Sequence, residues 1–163
     1  EKTSKQKDKL SVVFSGDALI KNEYMPLVQD RLYFYQKISE ALSVDDIFSV
    51  REELVDRFGP LPIETETLLT ISSLQCALYS YPILKIFIKP NVFSVVLGGV
   101  PAGLGPSAFF QRLSEAFQDS GRPYKIKNGG GGSLVIAFET VSIKDSLGFS
   151  FKFAELFSPV VDK

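Results

Sequence analysis

The sequence predicts an α+β fold: a three-helix N-terminal part followed by a small antiparallel sheet, in the order β-hairpin, helix, β-hairpin, helix. Three observations carry this. Apolar residues recur at helical spacing in three successive segments between 26 and 82. The period changes after Pro82, where short apolar runs replace the helical spacing. Two turn-forming stretches, Lys89-Pro-Asn91 and Asn128-Gly-Gly-Gly-Gly132, each lie between short β-rich runs.

The elements follow in order. Residues 1–9 are polar and aperiodic and read as part of a solvated linker over 1–10. Leu10 to Ile20 reads as a short extended segment broken by Gly16 and Asp17. In the first helix, over 26–42, Val28, Leu32, Tyr35, Ile38 and Leu42 make the inward stripe, with Pro26 in the first turn. Ser43 and Asp46 have the spacing of a capping box for a second helix. Its apolar face is Ile47, Val50, Leu54 and Phe58, and Gly59 with Pro60 ends it. A third helix starts near Pro62 with Glu64 and Glu66 at its positive end, and Pro82 stops it. Its stripe is Leu68, Ile71, Leu74, Leu78 and Tyr81.

Beyond Pro82, Ile83–Ile88 and Val92–Leu97 form the first hairpin. A Gly/Pro loop over 98–106 leads to a helix near 107–119 with Phe109, Phe110, Leu113 and Phe117 inward. Tyr124–Lys127 and Leu134–Phe138 form the second hairpin. Its glycine run, with Ser133, reads either as a natural loop or as an engineered linker. In the last segment Leu147, Phe149, Phe151 and Phe153 alternate like a strand, while Ile143, Leu147, Phe151, Ala154 and Phe157 fit a helix. The capping-box spacing of Ser142 and Asp145 favours the helix. Together, 11–163 read as one domain, with a helical part over 24–82 and an α+β part over 83–158.

Composition narrows the chemistry. The chain has 163 residues, 45% hydrophobic and 23% charged, which suits a packed core rather than a disordered tail or coiled coil. No apolar run approaches the roughly 20 residues that span a bilayer, and no signal peptide is visible. There are no histidines, so Ser-His-Asp and Cys-His catalysis and His-containing zinc sites are excluded. The single cysteine, Cys76, cannot form an internal disulfide, points to a reducing compartment, and reads as a small core residue. The chain begins at Glu1 and its only methionine is Met25, which reads as a piece of a longer protein. Charge is uneven: residues 1–10 carry +2, 11–82 carry −6 and 83–163 carry +3, for a net −1.

The candidate motifs are few. Gly103-Leu-Gly105-Pro-Ser-Ala108 matches a dinucleotide fingerprint. Its setting fails: the preceding strand belongs to a hairpin, and Pro106 removes an N–H donor. No G-x-x-x-x-G-K-[ST] stretch occurs. Asp45, Asp46, Glu52, Glu53 and Asp56 fall mainly opposite the apolar face of the second helix, a solvated or partner-binding face rather than a metal site. Arg112, Arg122, Lys125 and Lys127 lie near Tyr124 and offer phosphate and base contacts, the basis of an alternative reading as an independent nucleic-acid-binding module. A small carboxylate-based enzyme is the other class, and it would need two convergent acids in a pocket.

Several unusual residues recur in one register: Asp17-Ala-Leu-Ile20, Tyr24-Met-Pro26, Arg31-Leu-Tyr-Phe-Tyr35, and Glu53-Leu-Val-Asp-Arg-Phe-Gly59 with Pro60 and Pro62. Over residues 17–75 this pattern resembles the C-terminal domain of bacterial transcription-repair coupling factor (Mfd). From 83 onwards only the family's general order of strands and helices matches. The resemblance implies a parent that is a cytoplasmic, multidomain, ATP-driven DNA translocase of bacteria, acting in transcription-coupled nucleotide excision repair. It implies that ATP and Mg belong to the parent's motor domains, and that this domain has neither cofactor nor catalytic role. RNA polymerase and DNA would be met through other parent domains, with no membrane partner. The domain itself would dock on the UvrB-like module of the same chain and mask the surface that binds UvrA. On this reading Arg31, Tyr35, Glu53, Asp56, Arg57 and Gly59 carry the family motif. Glu53, Asp56 and Arg57 are contact candidates, unless Asp56 and Arg57 only fix the helix end at Gly59.

Overall fold

A computed structural model describes residues 10–79, 81–99, 107–108, 111–112, 114–115, 118 and 121–155. The described elements are α+β, as the sequence predicts: β1 (Ser11–Phe14), α1 (Val28–Glu40), α2 (Val44–Phe58), α3 (Ile63–Leu78), β2 (Ile83–Lys89), β3 (Val92–Leu97), β4 (Tyr124–Asn128), β5 (Leu134–Glu139) and α4 (Ile143–Glu155). The chain divides into two compact units, Phe14–Ala77, and Glu1–Val13 with Leu78–Lys163.

In the helical unit the core gathers Ile20, Met25, Phe34, Ile38, Ala41, Ile47, Val50, Leu54 and Leu69. The inward face of α1 differs from the stripe the spacing suggests. Phe34 and Ile38 are buried, while Val28, Leu32 and Leu42 are 58%, 63% and 72% exposed. The rotation brings the larger Phe34 inside, against Phe58 at 5.9 Å between ring centroids. It also lets the Tyr35 hydroxyl accept the Ile20 N–H at 2.8 Å. Pro26 lies before α1 rather than in its first turn, since Leu27 is the N-cap. Along α3, Thr65, Thr67, Leu69, Ile71, Ser72, Leu74 and Leu78 are all buried, a wider face than the single stripe expected. The hydroxyls of Thr67 and Ser72 donate to the carbonyls of Ile63 and Leu68, so their burial leaves no donor orphaned. Cys76 donates its S–H to the Ala41 carbonyl at 3.6 Å.

The other unit is built on a sheet of order β1-β2-β3-β5-β4, with antiparallel pairing from β2 through β3 and β5 to β4. The early extended segment therefore supplies a strand. Both expected hairpins form, through Pro90-Asn91 and through residues 129–133. The glycine run makes a closed turn: Gly129 N–H donates to Ser133 O at 2.7 Å, and Ser133 Oγ donates to Gly130 O at 2.7 Å. Gly131 and Gly132 have φ of 66° and 81°, which residues with a Cβ resist.

One sheet face buries Ile86, Ile88, Phe93, Val95, Ile136 and Phe138 completely. α4 packs on this face, and its helical state agrees with the capping-box argument: Ser142 Oγ accepts the Asp145 N–H at 3.1 Å. Its buried face is Ser146, Phe149, Ser150 and Phe153, not Leu147 and Phe151. The two serines let the helix approach the sheet, and Ser146 donates to Val92 O at 3.3 Å. The two phenylalanines then meet Phe93 and Phe138 at 4.8–6.4 Å. Residues 107, 108, 111, 112, 114, 115 and 118 are helical, in keeping with the helix expected there. The proposed inward residues Phe109, Phe110, Leu113 and Phe117, together with residues 100–106 and Phe157, lie outside the described residues. No helix among the described residues is long and apolar enough to cross a membrane.

Candidate functional site

The six motif residues lie on or beside α1 and α2. The start of α2 is fixed by a reciprocal cap: Ser43 Oγ accepts the Asp46 N–H at 3.1 Å, and Asp46 Oδ2 accepts from Leu42 N at 2.9 Å and Ser43 N at 3.1 Å. These bonds favour the ionised carboxyl, led by that from Leu42, and hold its pKa below the usual value. The far end of α2 is fixed by Tyr24. Its hydroxyl is placed 3.2 Å from Leu54 O and 2.9 Å from Gly59 O. Gly59 has φ of 85° and donates its N–H to Val55 O at 2.9 Å.

Between these ends α1 and α2 exchange charges. Glu53 accepts from Lys37 Nζ, from the Tyr33 hydroxyl at 3.2 Å and from Arg57 Nη1 at 3.3 Å. The Lys37 ammonium is the main reason the Glu53 carboxyl titrates low, and that bond raises Lys37 in turn. Arg57 Nη2 also reaches Asp30 Oδ1 at 3.6 Å. Its guanidinium lies 5.3 Å from the Phe34 ring centroid and 5.2 Å from that of Phe58. Asp30–Arg57 and Lys37–Glu53 run in opposite chain directions, so the two helices pack as an antiparallel pair. Arg31 instead ties the chain entering α1, donating to Met25 O at 2.6 Å and Pro26 O at 2.9 Å.

Of the three contact candidates, Glu53 and Arg57 are thus engaged within the unit. Asp56 is exposed and makes no hydrogen bond or ion pair among the described residues. It does not fix the turn at Gly59; Tyr24 does, a residue the sequence placed in the family motif without a role. Tyr33 likewise stands in the motif without a role, and Lys37 and Asp30 lie outside it. Glu53 and Arg57 stand one helical turn apart, the spacing at which opposite charges pair on a helix. Beside Asp56, the outer side of α2 carries Asp45 and Glu52, both exposed. Next to these acids runs an apolar stripe at helical spacing, Val44, Phe48 and Val55, exposed by 47%, 56% and 36%.

The basic group near Tyr124 is not assembled as expected. Arg122 is half-buried and grips Asp145 in a two-pronged pair at 2.8 and 2.5 Å, with its guanidinium 4.9 Å from the Phe149 centroid. Strand alternation puts Tyr124 on the α4 side of β4, in register with Phe138, and Lys125 and Lys127 on the other side. Arg112 is exposed. Among the described residues no group of three or more His, Cys, Asp or Glu side chains could hold a metal ion. The Gly103–Gly105 loop lies outside them.

The family model described as "TRCF domain" matches residues 14–101. The chain is similar to the transcription-repair-coupling factors of Escherichia coli (strain K12), at 38% identity over 58 residues, and of Myxococcus xanthus, at 40% over 58 residues. Each match covers 36% of this chain and 5% of the relative, so the chain spans a small fraction of the curated relatives it matches. Among solved structures, it resembles "Crystal structure of C-terminal domain of transcription-repair coupling factor" with a TM-score of 0.76 and 20% identity, covering 91% of each chain. That structural likeness establishes the fold.

Proposed function

The chain belongs to the TRCF domain family, whose model matches more than half of it, and from that premise we propose that it is a non-catalytic regulatory domain of a transcription-repair coupling factor. Family membership supports a role in transcription-repair coupling. On the finer reading, the domain docks on the UvrB-like module of its parent, masks the UvrA-binding surface, and restrains the DNA translocase until RNA polymerase is engaged. On the same reading ATP and Mg serve the parent's motor domains.

The observation that carries the reading is the outer side of α2. Exposed Val44, Phe48 and Val55 lie beside Asp45, Glu52 and Asp56, whose carboxylates are turned to solvent. An apolar strip gains from being covered. Acids beside it supply register and a salt-sensitive, reversible component. A mask must be released, and a shift between states needs only a few kcal/mol of differential binding. Glu53 and Arg57 shape the contact by holding α1 against α2, and Asp56 meets the partner directly.

The test is calorimetric titration of this chain with the separately purified UvrB-like module, with UvrA added as competitor. Binding that UvrA displaces supports masking. The tethered parent is the second format, because a short linker raises effective concentration to about the millimolar range. Absence of binding in both formats removes the reading. The nucleic-acid alternative is weaker, because Arg122 is held by Asp145 and Tyr124 faces away from Lys125 and Lys127.

A further inference from the structure

The sheet has a second face, opposite α4, which carries Lys125 and Lys127 of the basic group near Tyr124. Register places Lys85, Val96, Val135 and Lys127 in one row across β2, β3, β5 and β4. Phe87, Ser94, Ala137 and Lys125 form the next row. Lys89, Val92 and Glu139 form a third. Across these four strands the rows are aliphatic or small at the centre, between two lines of lysines that rim them: Lys85 and Lys89 on β2, which β1 borders on its far side, and Lys125 and Lys127 on the edge strand β4.

The two sheet faces differ sharply in burial. On the α4 side the central residues are fully buried, whereas Val96, Val135, Ser94 and Ala137 all keep partial exposure. None of the four rim lysines has a carboxylate within ion-pair distance among the described residues. Lys85 and Lys89 lie 5.2 and 5.3 Å from the Phe87 ring centroid. Glu139 is the one acid in these rows.

We propose that this lysine-rimmed sheet face docks an acidic amphipathic helix of a partner chain. Three interstrand steps separate the rims, about 14 Å, which admits a helix about 10 Å across. The central valines would cover the apolar stripe of such a helix, and the rims would meet carboxylates on both its flanks. A single-stranded nucleic acid suits the face less well. Bases stack on aromatic rings, and the only ring in these rows, Phe87, already lies beside two ammonium groups. The proposal concerns the sheet unit and does not depend on docking through α2.

The probe is a fluorescein-labelled 21-residue helical peptide with leucines on one face and glutamates on both flanks, titrated with the full chain by anisotropy. Its counterpart with lysine in place of every glutamate is the control. The acidic peptide is expected to bind and the basic one not, with affinity falling as salt rises. The Lys125→Glu/Lys127→Glu pair is expected to weaken binding at least about tenfold, through lost attraction and new repulsion. Lys144→Glu/Lys152→Glu, on α4, is expected to leave it unchanged. Thermal melting checks that both variants fold. No binding of the acidic peptide, equal loss in both variants, or β4-dependent binding of an oligothymidylate in place of the peptide would each overturn the proposal.

Discussion

The two units hold themselves together by different means. In the helical unit, ionic contacts join separate segments: Lys21 to Glu64, Lys37 to Glu53, Arg51 to Glu66 and Arg57 to Asp30. All involve partly exposed side chains, so they set how the helices meet more than they add stability. In the sheet unit the described centre is aromatic, with Phe93, Phe138, Phe149 and Phe153 in mutual contact. One ion pair, Arg122–Asp145, is the described ionic contact there. Net charge differs in sign along the chain, −6 over residues 11–82, which include the helical unit, and +3 over 83–163, which belong to the sheet unit. A helical surface laced with charge can expose acids at little cost. A sheet that spends its apolar residues on one face leaves lysines to solubilise the other.

The largest expected effect tests the aromatic side of this contrast. Phe138 is fully buried and touches Phe93, Phe149 and Phe153. Phe138→Ala should cost about 3–5 kcal/mol through lost transfer energy and a cavity. Urea denaturation checks it. A loss no larger than that from breaking a surface ion pair would end the claim that the sheet unit depends on its rings.

Next in size is Asp145. The Arg122 guanidinium, with the Val141 N–H, holds its carboxyl down to about 2 from an ordinary 3.8. The folded state therefore binds the proton less tightly than the unfolded one. The stabilisation is present above pH 3.8 and is lost as pH falls toward 2. Asp145→Asn should cost about 1–2 kcal/mol at pH 7, discounted for partial exposure. The gap to the unaltered chain should shrink between pH 4 and pH 2, which melts at several pH values would reveal. A smaller effect is expected at Tyr24, whose hydroxyl meets two carbonyls at the end of α2. Tyr24→Phe should cost about 1 kcal/mol.

These residues also mark what could be read in advance. Ser43 with Asp46 and Ser142 with Asp145 announced two helix starts, because capping is local and its spacing is fixed. Gly59 announced a stop for the same reason. The inward faces of α1 and α4 were read about one position off. Each helix carries two plausible stripes, and what it packs against chooses between them. In α4 the winning face contains Ser146 and Ser150, which no hydropathy pattern nominates. Glu53 and Arg57 pair within one helix, but Lys37, Tyr33 and Asp30 become partners only once α1 lies antiparallel to α2. Lys125 and Lys127 stand out in the sequence, but their pairing with Lys85 and Lys89 does not: the two lines of lysines come from strands about forty residues apart, and only the β2-β3-β5-β4 order brings them into common rows.

The smallest stability effects discriminate best on function. Glu53 has three partners inside the unit and Asp56 has none among the described residues. Glu53→Gln should lower stability by about 0.5–1 kcal/mol, because Lys37 and Arg57 lose a charged acceptor at a partly exposed site. Asp56→Lys should change stability by no more than about 0.5 kcal/mol, since nothing described in the fold depends on it. Docking to the UvrB-like module should rank them the other way, with Asp56→Lys weakening it severalfold and Glu53→Gln leaving it nearly intact. Paired melts and titrations of the two variants give both rankings. If Asp56→Lys binds as tightly as the unaltered chain, the acidic side of α2 is solvated surface only, and the contact must be sought elsewhere on the helical unit.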